Sequence, residues 1–582
     1  MAQLYLTKKN DGYSIDTSGD VPVYPIEQNP VLEIPPVDGY TWFKVPTEEV
    51  YVLEAPDANV TVLALETPSK LAPQAFIELH NQRTTAKLDT EQNAARLRAI
   101  KDKYPNEIDW ALLEQGIFDF FGQIRDIDPD IYQELVELFS IEGLYLAKTN
   151  AYSEDLMIYV SERTAALKVF KLPEAINPEP GERAIFPEDV LSMISNFLLF
   201  LNGDRHKRIR QAIIDSFKRT AVQNSWEGIG LKEKALELLA ERLSESSEID
   251  FVQFGGDFSS YAITRLLGLT KKFWNENRGY ISELGEALLP LTAGNSLTQD
   301  QIYAIEVAMR NSLALVQDIK KNLINDKTLV EPDGLVANLI NTKGEDRLSE
   351  NEMASAIVIL LIGGRETMTS AISSAATQIA LDPDLEQLPY LKDAREKLRA
   401  DGVSNFSDAV NELFERHSVI TTTTRNFKSD YETLDSLKVE GRPELDELIN
   451  TLATQEYFSL RLDLKEAGLE FGSGIHHCVG MNLAKTELAS FLEIVLGNVE
   501  LAVPEGANPY LWQEHATTRS RKAAKLMVEV KPGSTLAEYL QDMASRTELG
   551  RPSDLVELPI ITTPDQAPNS GASPAGNANR LT

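Results

Sequence analysis

Phe471-Gly-Ser-Gly-Ile-His-His-Cys-Val-Gly480 runs directly into Met481-Asn-Leu-Ala-Lys-Thr-Glu-Leu-Ala-Ser-Phe-Leu-Glu-Ile-Val-Leu496. The first stretch is a glycine-framed turn and the second reads as a helix. Glycines let a backbone turn tightly and let a flat ligand come close. A helix start offers unpaired N–H groups and partial positive charge. Both favour a thiolate, so Cys478 is expected to be acidic and a good metal ligand. It is the only cysteine in the chain. A lone thiol is either a small buried apolar residue or a chemical one. It forms no internal disulfide and no Cys-rich zinc site. It cannot build an iron–sulfur cluster, and His476, His477 and Cys478 are too crowded for zinc spacing. Haem iron is the cofactor that takes one axial thiolate and brings its in-plane ligands with it.

Phe471, Gly474, Cys478 and Gly480 together make Phe-x-x-Gly-x-x-x-Cys-x-Gly. This resembles the haem-binding loop of the cytochrome P-450 family. The resemblance implies a mainly α fold with small β-sheets, haem b as cofactor, and Cys478 as axial ligand of its iron. It implies that Phe471, Gly474, His476 and Gly480 contact the cofactor.

A second segment comes earlier, as the family order requires: Ala356-Ile-Val-Ile-Leu-Leu-Ile-Gly-Gly-Arg-Glu-Thr-Met-Thr-Ser-Ala-Ile-Ser-Ser-Ala-Ala376. Two glycines inside an apolar helix cost about 1 kcal/mol each relative to alanine, which invites a reason. Small-residue packing is one reading. The other is a local opening of the helix where oxygen and water sit. The acid–alcohol pair after the glycines resembles the oxygen-activation helix of the family. By that resemblance Thr367 holds water at the oxygen site and Glu366 feeds protons from solvent, as general acid–base work requires.

In Asn202-Gly-Asp-Arg-His-Lys-Arg-Ile-Arg210, His206 and Arg210 share one helix face. Two cationic donors suit the two haem propionates. A solvated basic helix is the plainer reading, and the family's His-x-x-x-Arg favours the first. Arg425, in Thr421-Thr-Thr-Thr-Arg425, matches another propionate position. The family's Glu-x-x-Arg pair is altered here: Glu412 is followed by Glu415, and Arg416 comes one step late. Glu412 and Arg416 remain helix neighbours and are expected to pair, with Arg461 as the alternative guanidinium.

The chain has 582 residues, 56 Lys+Arg and 89 Asp+Glu, hence a net charge of −33. Length allows roughly three or four domains; one large enzyme domain plus an appendage fits as well. Such acidity argues against nucleic acid and anionic membrane surfaces as partners. The amino-terminal sequence is no signal peptide, and the apolar runs Ala356–Ile362 and Phe197–Leu201 are far shorter than the ~20 residues a bilayer needs. No membrane span and a cytoplasmic location are expected.

Residues 1–105 read as a β-rich extension, punctuated by prolines and ending in a helix. Residues 106–532 read as the haem domain, with the resemblance running from about Ile117 to Val530. Residues 533–582 read as a helix and a disordered, Pro/Ser/Asn-rich tail. The resemblance implies a monooxygenase that hydroxylates or epoxidises a small organic substrate with O2. No flavin or nicotinamide fingerprint is present, so electrons are expected from a ferredoxin-type donor and its reductase. The alternatives are a haem-thiolate enzyme that uses peroxide or rearranges a hydroperoxide, and a haem-binding protein without turnover. A basic cluster at Arg205, Lys207, Arg208, Arg210, Lys218 and Arg219 is the expected docking face for the electron donor.

Overall fold

The structure is a computed structural model that describes most of residues 72–548, together with six strand segments between residues 4 and 64. The tail expected to be disordered from Leu549 lies outside the described residues.

The amino-terminal segments form two antiparallel three-stranded sheets. In one, Leu4–Lys9 lies between Gly12–Asp16 and Val21–Val23; in the other, Val50–Glu54 lies between Thr41–Lys44 and Val60–Ala64. The helices Gln74–Leu88 and Glu91–Lys103 follow. These helices, read from sequence as the end of the extension, are built into the next sheet's core. The Ala72 N–H donates to Leu156 O, and His80 lies buried with Nε2 3.1 Å from Leu144 O. Phe76 shares an apolar cluster with Leu146, Ile158 and Leu460 of that sheet.

That sheet has the order Thr422–Lys428, Tyr457–Asp463, Leu156–Val160, Leu144–Lys148, with one parallel pair, 457–463 beside 156–160. Leu156–Val160, expected as a strand, is buried along nearly its whole length. The rest is mainly helical.

The helix Glu350–Leu381 runs through the largest core. A full capping box starts it: Ser349 Oγ accepts the Glu352 N–H, and Glu352 accepts the Ser349 N–H. By length and composition this helix could cross a membrane, yet most of it is buried inside the protein. It packs along the helix Phe251–Leu266, where Gly255 and Gly364 permit close approach. A Cβ at Gly364 would lie 2.7 Å from Ile263 Cγ1. The helix Lys271–Thr292 crosses both, with Leu284 and Leu288 packed in one cluster with Val358 and Ile362. The helix Met481–Asn498, two residues longer than read from sequence, lies against the opposite side of this core.

Candidate active site

Four chain segments build the site: the cysteine loop, the helix Gly203–Ile214, the middle of the helix Glu350–Leu381 and the strand Thr422–Lys428. The loop is closed by the Cys478 N–H donating to Phe471 O at 2.8 Å. Gly472 and Gly474 both adopt left-handed backbone, with φ of 65° and 64°. Only glycine takes this conformation without strain. A Cβ at Gly474 would also lie 2.8 Å from Phe170 O. The loop therefore rests on Phe170, which sequence reading did not single out. On its other side the Phe471 ring meets Phe414 edge-on at 5.0 Å, and Lys485 Nζ lies 5.5 Å from the same ring.

Cys478 presents accessible surface, yet burial among protein atoms is the main influence on its thiol and pushes its pKa up. Both hold if the sulfur faces a space enclosed by the protein. The expectation of an acidic thiol is thus corrected: desolvation outweighs the helix start. The backbone N–H groups of Gly480 and Met481 and the nearby Arg210 act the other way. They are the features that stabilise a thiolate once a metal supplies the compensating charge.

The cations converge beside the loop. Arg210 donates to His477 O at 2.6 Å. His206, on the same helix face, is buried, and its Nε2 has no hydrogen-bond partner among the described residues. Its ring lies 4.4 Å from that of His476, tilted by 51°. Desolvation, then Arg210, lowers the His206 pKa to about 4. Desolvation, then Arg425 and His206, lowers that of His476 to about 3. Arg425 is buried over the Phe170 ring at 5.0 Å and donates to Thr423 Oγ1 and Thr424 O. It makes no ion pair with a described residue, and burial lowers its pKa to about 10. A buried cation without an anion is costly; the guanidiniums of Arg425 and Arg210, with the imidazoles of His206 and His476 as N–H donors, fit a dianionic ligand.

The central helix contributes its two glycines in different ways. Gly364 serves packing, as above. Gly363 is exposed within an otherwise buried helix, and a Cβ there would meet nothing within 4 Å. The helix is not interrupted as expected; it is continuous from Glu350 to Leu381, and the opening is a missing side chain. Thr367 donates its hydroxyl to Gly363 O at 2.6 Å, which leaves its oxygen free to accept.

Glu366 departs from the expected solvent-facing acid. It is largely buried and ion-paired with Arg365, whose other arm donates to Ser282 at 2.7 Å. Burial raises the Glu366 pKa, Arg365 opposes this, and Glu286 adds to it.

Glu412 and Arg416 do not form the expected pair. Glu412 is buried and accepts the Leu391 N–H at 3.2 Å, capping the helix Pro389–Asp401. Arg416 acts on it only through its field. Arg461, the alternative, donates to Tyr159 at 2.9 Å. Loop support comes instead from Phe414, two residues after Glu412.

The residues fit haem. The thiol lies under backbone donors, the opening at Gly363 leaves room on the central helix, and Arg210 and Arg425 offer the positive charge, His206 and His476 the N–H donors, that two propionates need. Among the described residues no three His, Cys, Asp or Glu side chains gather as a metal site of their own.

No protein-family model matches the chain. A cytochrome P-450 of Priestia megaterium is 25% identical over 50% of this chain and 66% of its own length, just under two thirds. The mycinamicin IV hydroxylase/epoxidase of Micromonospora griseorubida is 26% identical over 57% of this chain and 79% of its own. The crystal structure of CalO2 superposes with a TM-score of 0.55, at 16% identity, over 72% of this chain and all of that one. The chain thus has the fold of cytochrome P-450 structures and is similar in sequence to bacterial cytochromes P-450.

Proposed function

We propose that the protein is a haem-thiolate monooxygenase. It would insert one oxygen atom from O2 into a small organic substrate, by hydroxylation or epoxidation, with electrons from a ferredoxin-type carrier and its reductase. The observation that carries this reading is the Cys478 sulfur under the Gly480 and Met481 N–H groups, near a buried Arg425 that pairs with no described carboxylate and a His206 whose Nε2 finds no partner among the described residues. The mycinamicin enzyme, a hydroxylase/epoxidase by name, supports the reaction class.

Cys478 would ligate the iron of haem b, and His206, Arg210, His476 and Arg425 would take its propionates. Haem bound through a thiolate supplies redox-active iron and the electron density that favours O–O cleavage. Phe170 and Phe414 hold the loop at a fixed height. Thr367 keeps an acceptor lone pair at the Gly363 opening, so a water there donates to Oγ1. Glu366 is the nearest carboxyl on the same helix; a proton held on it reaches the Thr367 hydroxyl once Arg365 releases it.

Under this reading residues 1–71 form an appended β module and about 72–532 the haem unit, because the helices from Gln74 share the sheet's core. The helix Thr535–Glu548 closes against the main core through Leu536 and Tyr539. A cytoplasmic location accompanies the reading.

One observation favours a second reading. Glu366 is tied to Arg365, and a peroxide-using enzyme of this family needs no proton delivery to dioxygen. Two measurements decide. A thiolate-type CO difference spectrum of the reduced protein, lost in Cys478→Ser, is expected; its absence in the parent overturns both readings. Turnover with ferredoxin and reductase that exceeds turnover with peroxide alone is expected; the reverse selects the second.

A further inference from the structure

We propose that Lys485 is a positioning residue that ties the start of the helix Met481–Asn498 to Asn411 and to the Phe471 ring, and so holds the Gly480 and Met481 N–H groups against the Cys478 sulfur. The proposal rests on the haem-thiolate reading above and names the side chain that replaces the altered Glu-x-x-Arg pair.

Lys485 lies one turn into the helix that follows the cysteine loop. Helical side chains lean back toward the helix N-terminus, so its ammonium returns to the level of the loop. There Nζ donates to Asn411 Oδ1 at 2.7 Å and lies 5.5 Å from the centroid of the Phe471 ring. Asn411 belongs to the helix Ser407–Arg416, whose Phe414 meets the same ring edge-on. One ammonium thus joins the first residue of the loop to the helix before it and the helix after it. Phe471 O accepts the Cys478 N–H, so whatever holds Phe471 also holds the backbone of the thiol.

A second tether acts on the same helix start. Asn482, in its first turn, donates through Nδ2 to Phe217 O at 3.1 Å, just beyond the helix Gly203–Ile214. Ties to two different segments resist both rotation and sliding of the helix start away from the sulfur. Charge favours a cation at this place as well. Glu470 immediately precedes the loop and is half-buried. Burial raises its pKa and Glu415 adds to this, while Arg163 and Lys485 oppose it. Glu415 is the residue three after Glu412, where the family's pair carries arginine. The chain has a carboxylate there, and the positive charge comes from Lys485 instead. Asn411 is a neutral acceptor, which leaves the ammonium charge to act on Glu470 and on the face of Phe471.

The test uses the haem-loaded full chain and compares Lys485→Met, Asn411→Leu, the double variant and Lys485→Arg with the parent. Resonance Raman spectra read the Fe–S stretching band. Hydrogen bonds to the sulfur tune the electron density it gives the iron. Lys485→Met and Asn411→Leu should therefore raise the band frequency, as the N–H groups of Gly480 and Met481 drift from the sulfur. In the reduced CO complex in mild denaturant, the thiolate-type absorption should give way to a thiol-type one severalfold faster in both variants. The double variant should match Lys485→Met, because the two changes break one shared bond. Lys485→Arg still donates to Asn411 and covers Phe471, and should keep the parent band and rate. An Fe–S band at the parent frequency in either Lys485→Met or Asn411→Leu overturns the proposal, even if the variant melts earlier. A parent without a thiolate CO spectrum would instead overturn the reading on which it rests. Asn411→Leu leaves Lys485 in place, so the proposal stays testable if Lys485→Met fails to fold.

Discussion

The guanidinium of Arg425 lies 5.0 Å above the ring of Phe170, whose carbonyl oxygen supports the cysteine loop at Gly474. One residue thus fixes both the loop that carries the thiol and a cation beside it. The arrangement is expensive without a ligand, since Arg425 is buried and its pKa is lowered to about 10. Arg425→Leu should therefore act in opposite directions on two quantities. Haem should leave the protein about tenfold faster in transfer to apomyoglobin, equivalent to about 1.4 kcal/mol. The haem-free protein should melt no lower than the parent, because an uncompensated charge is gone. A haem-free form that melts well below the parent would make Arg425 a structural residue.

The paired glycines of the central helix should respond oppositely to one methyl group. At Gly363 a Cβ meets open space, so Gly363→Ala should gain up to about 1 kcal/mol of helix stability. Its methyl should nonetheless perturb the haem absorption spectrum and substrate affinity. At Gly364 a Cβ would press on Ile263, so Gly364→Ala should destabilise by about 1–3 kcal/mol through overpacking. Thermal melts of the two variants check both signs. Equal shifts would mean that the Gly363 flank is closed.

Glu487 carries a pH dependence that no part of the proposed chemistry uses. It sits on the helix after the cysteine loop, fully buried, with both carboxyl oxygens lacking a hydrogen-bond partner. Burial raises its pKa from 4.5 to about 8, and adjacent Ser259 opposes this. The folded state then keeps a proton between pH 4.5 and about 8 that the unfolded chain has lost. Stability falls as pH rises through that window and levels off above it. The loss is of order 5 kcal/mol over the whole window. Glu487→Gln should flatten this slope, matching the parent near pH 5 and exceeding it near pH 8. Denaturant unfolding at several pH values measures it; parallel curves for the two proteins would show that Glu487 is already charged in the fold.

The parts of this site that are local in sequence were legible, and the parts that depend on distant packing were not. The glycine-framed cysteine, the His206–Arg210 face and the Gly363–Thr367 segment each lie within ten residues, so local spacing together with the family resemblance drew attention to them. Glu412 and Arg416 looked paired by the same spacing. The N–H of Leu391, on the preceding helix, took the carboxylate instead. Phe170 lies some three hundred residues before the loop it supports, and nothing in its own neighbourhood marks it. Arg365 left a signal that was passed over: a charge inside an apolar helix needs a partner, and Glu366 and Ser282 are it. The helices at 74–103 were assigned to the extension because the family resemblance starts only at about Ile117, while their burial against Leu144 and Leu156 depends on a sheet formed later in the chain.

The expected docking face for the electron carrier divides once the ion pairs are known. Arg208 is bound to Glu352 at the start of the central helix, and Arg205 lies 3.8 Å from the same carboxylate. These two staple the basic helix to the central helix. Charge reversal at Arg208 would set two carboxylates together in a half-buried place, so Arg208→Glu should lower the melting temperature. Lys207 is exposed on the outer face, and Lys218 shares only a surface pair with Asp215 at 2.7 Å, which is worth little. If an acidic carrier docks here, Lys207→Glu and Lys218→Glu should slow reduction of the haem several-fold at low ionic strength, with unchanged melting. The difference should vanish at high salt, where the screening length falls to a few Å. Stopped-flow reduction across a salt series tests this. Parent-like rates for both variants at low salt would mean that the carrier approaches elsewhere, and would leave the Arg208–Glu352 staple as the whole purpose of the basic helix outside its propionate contacts.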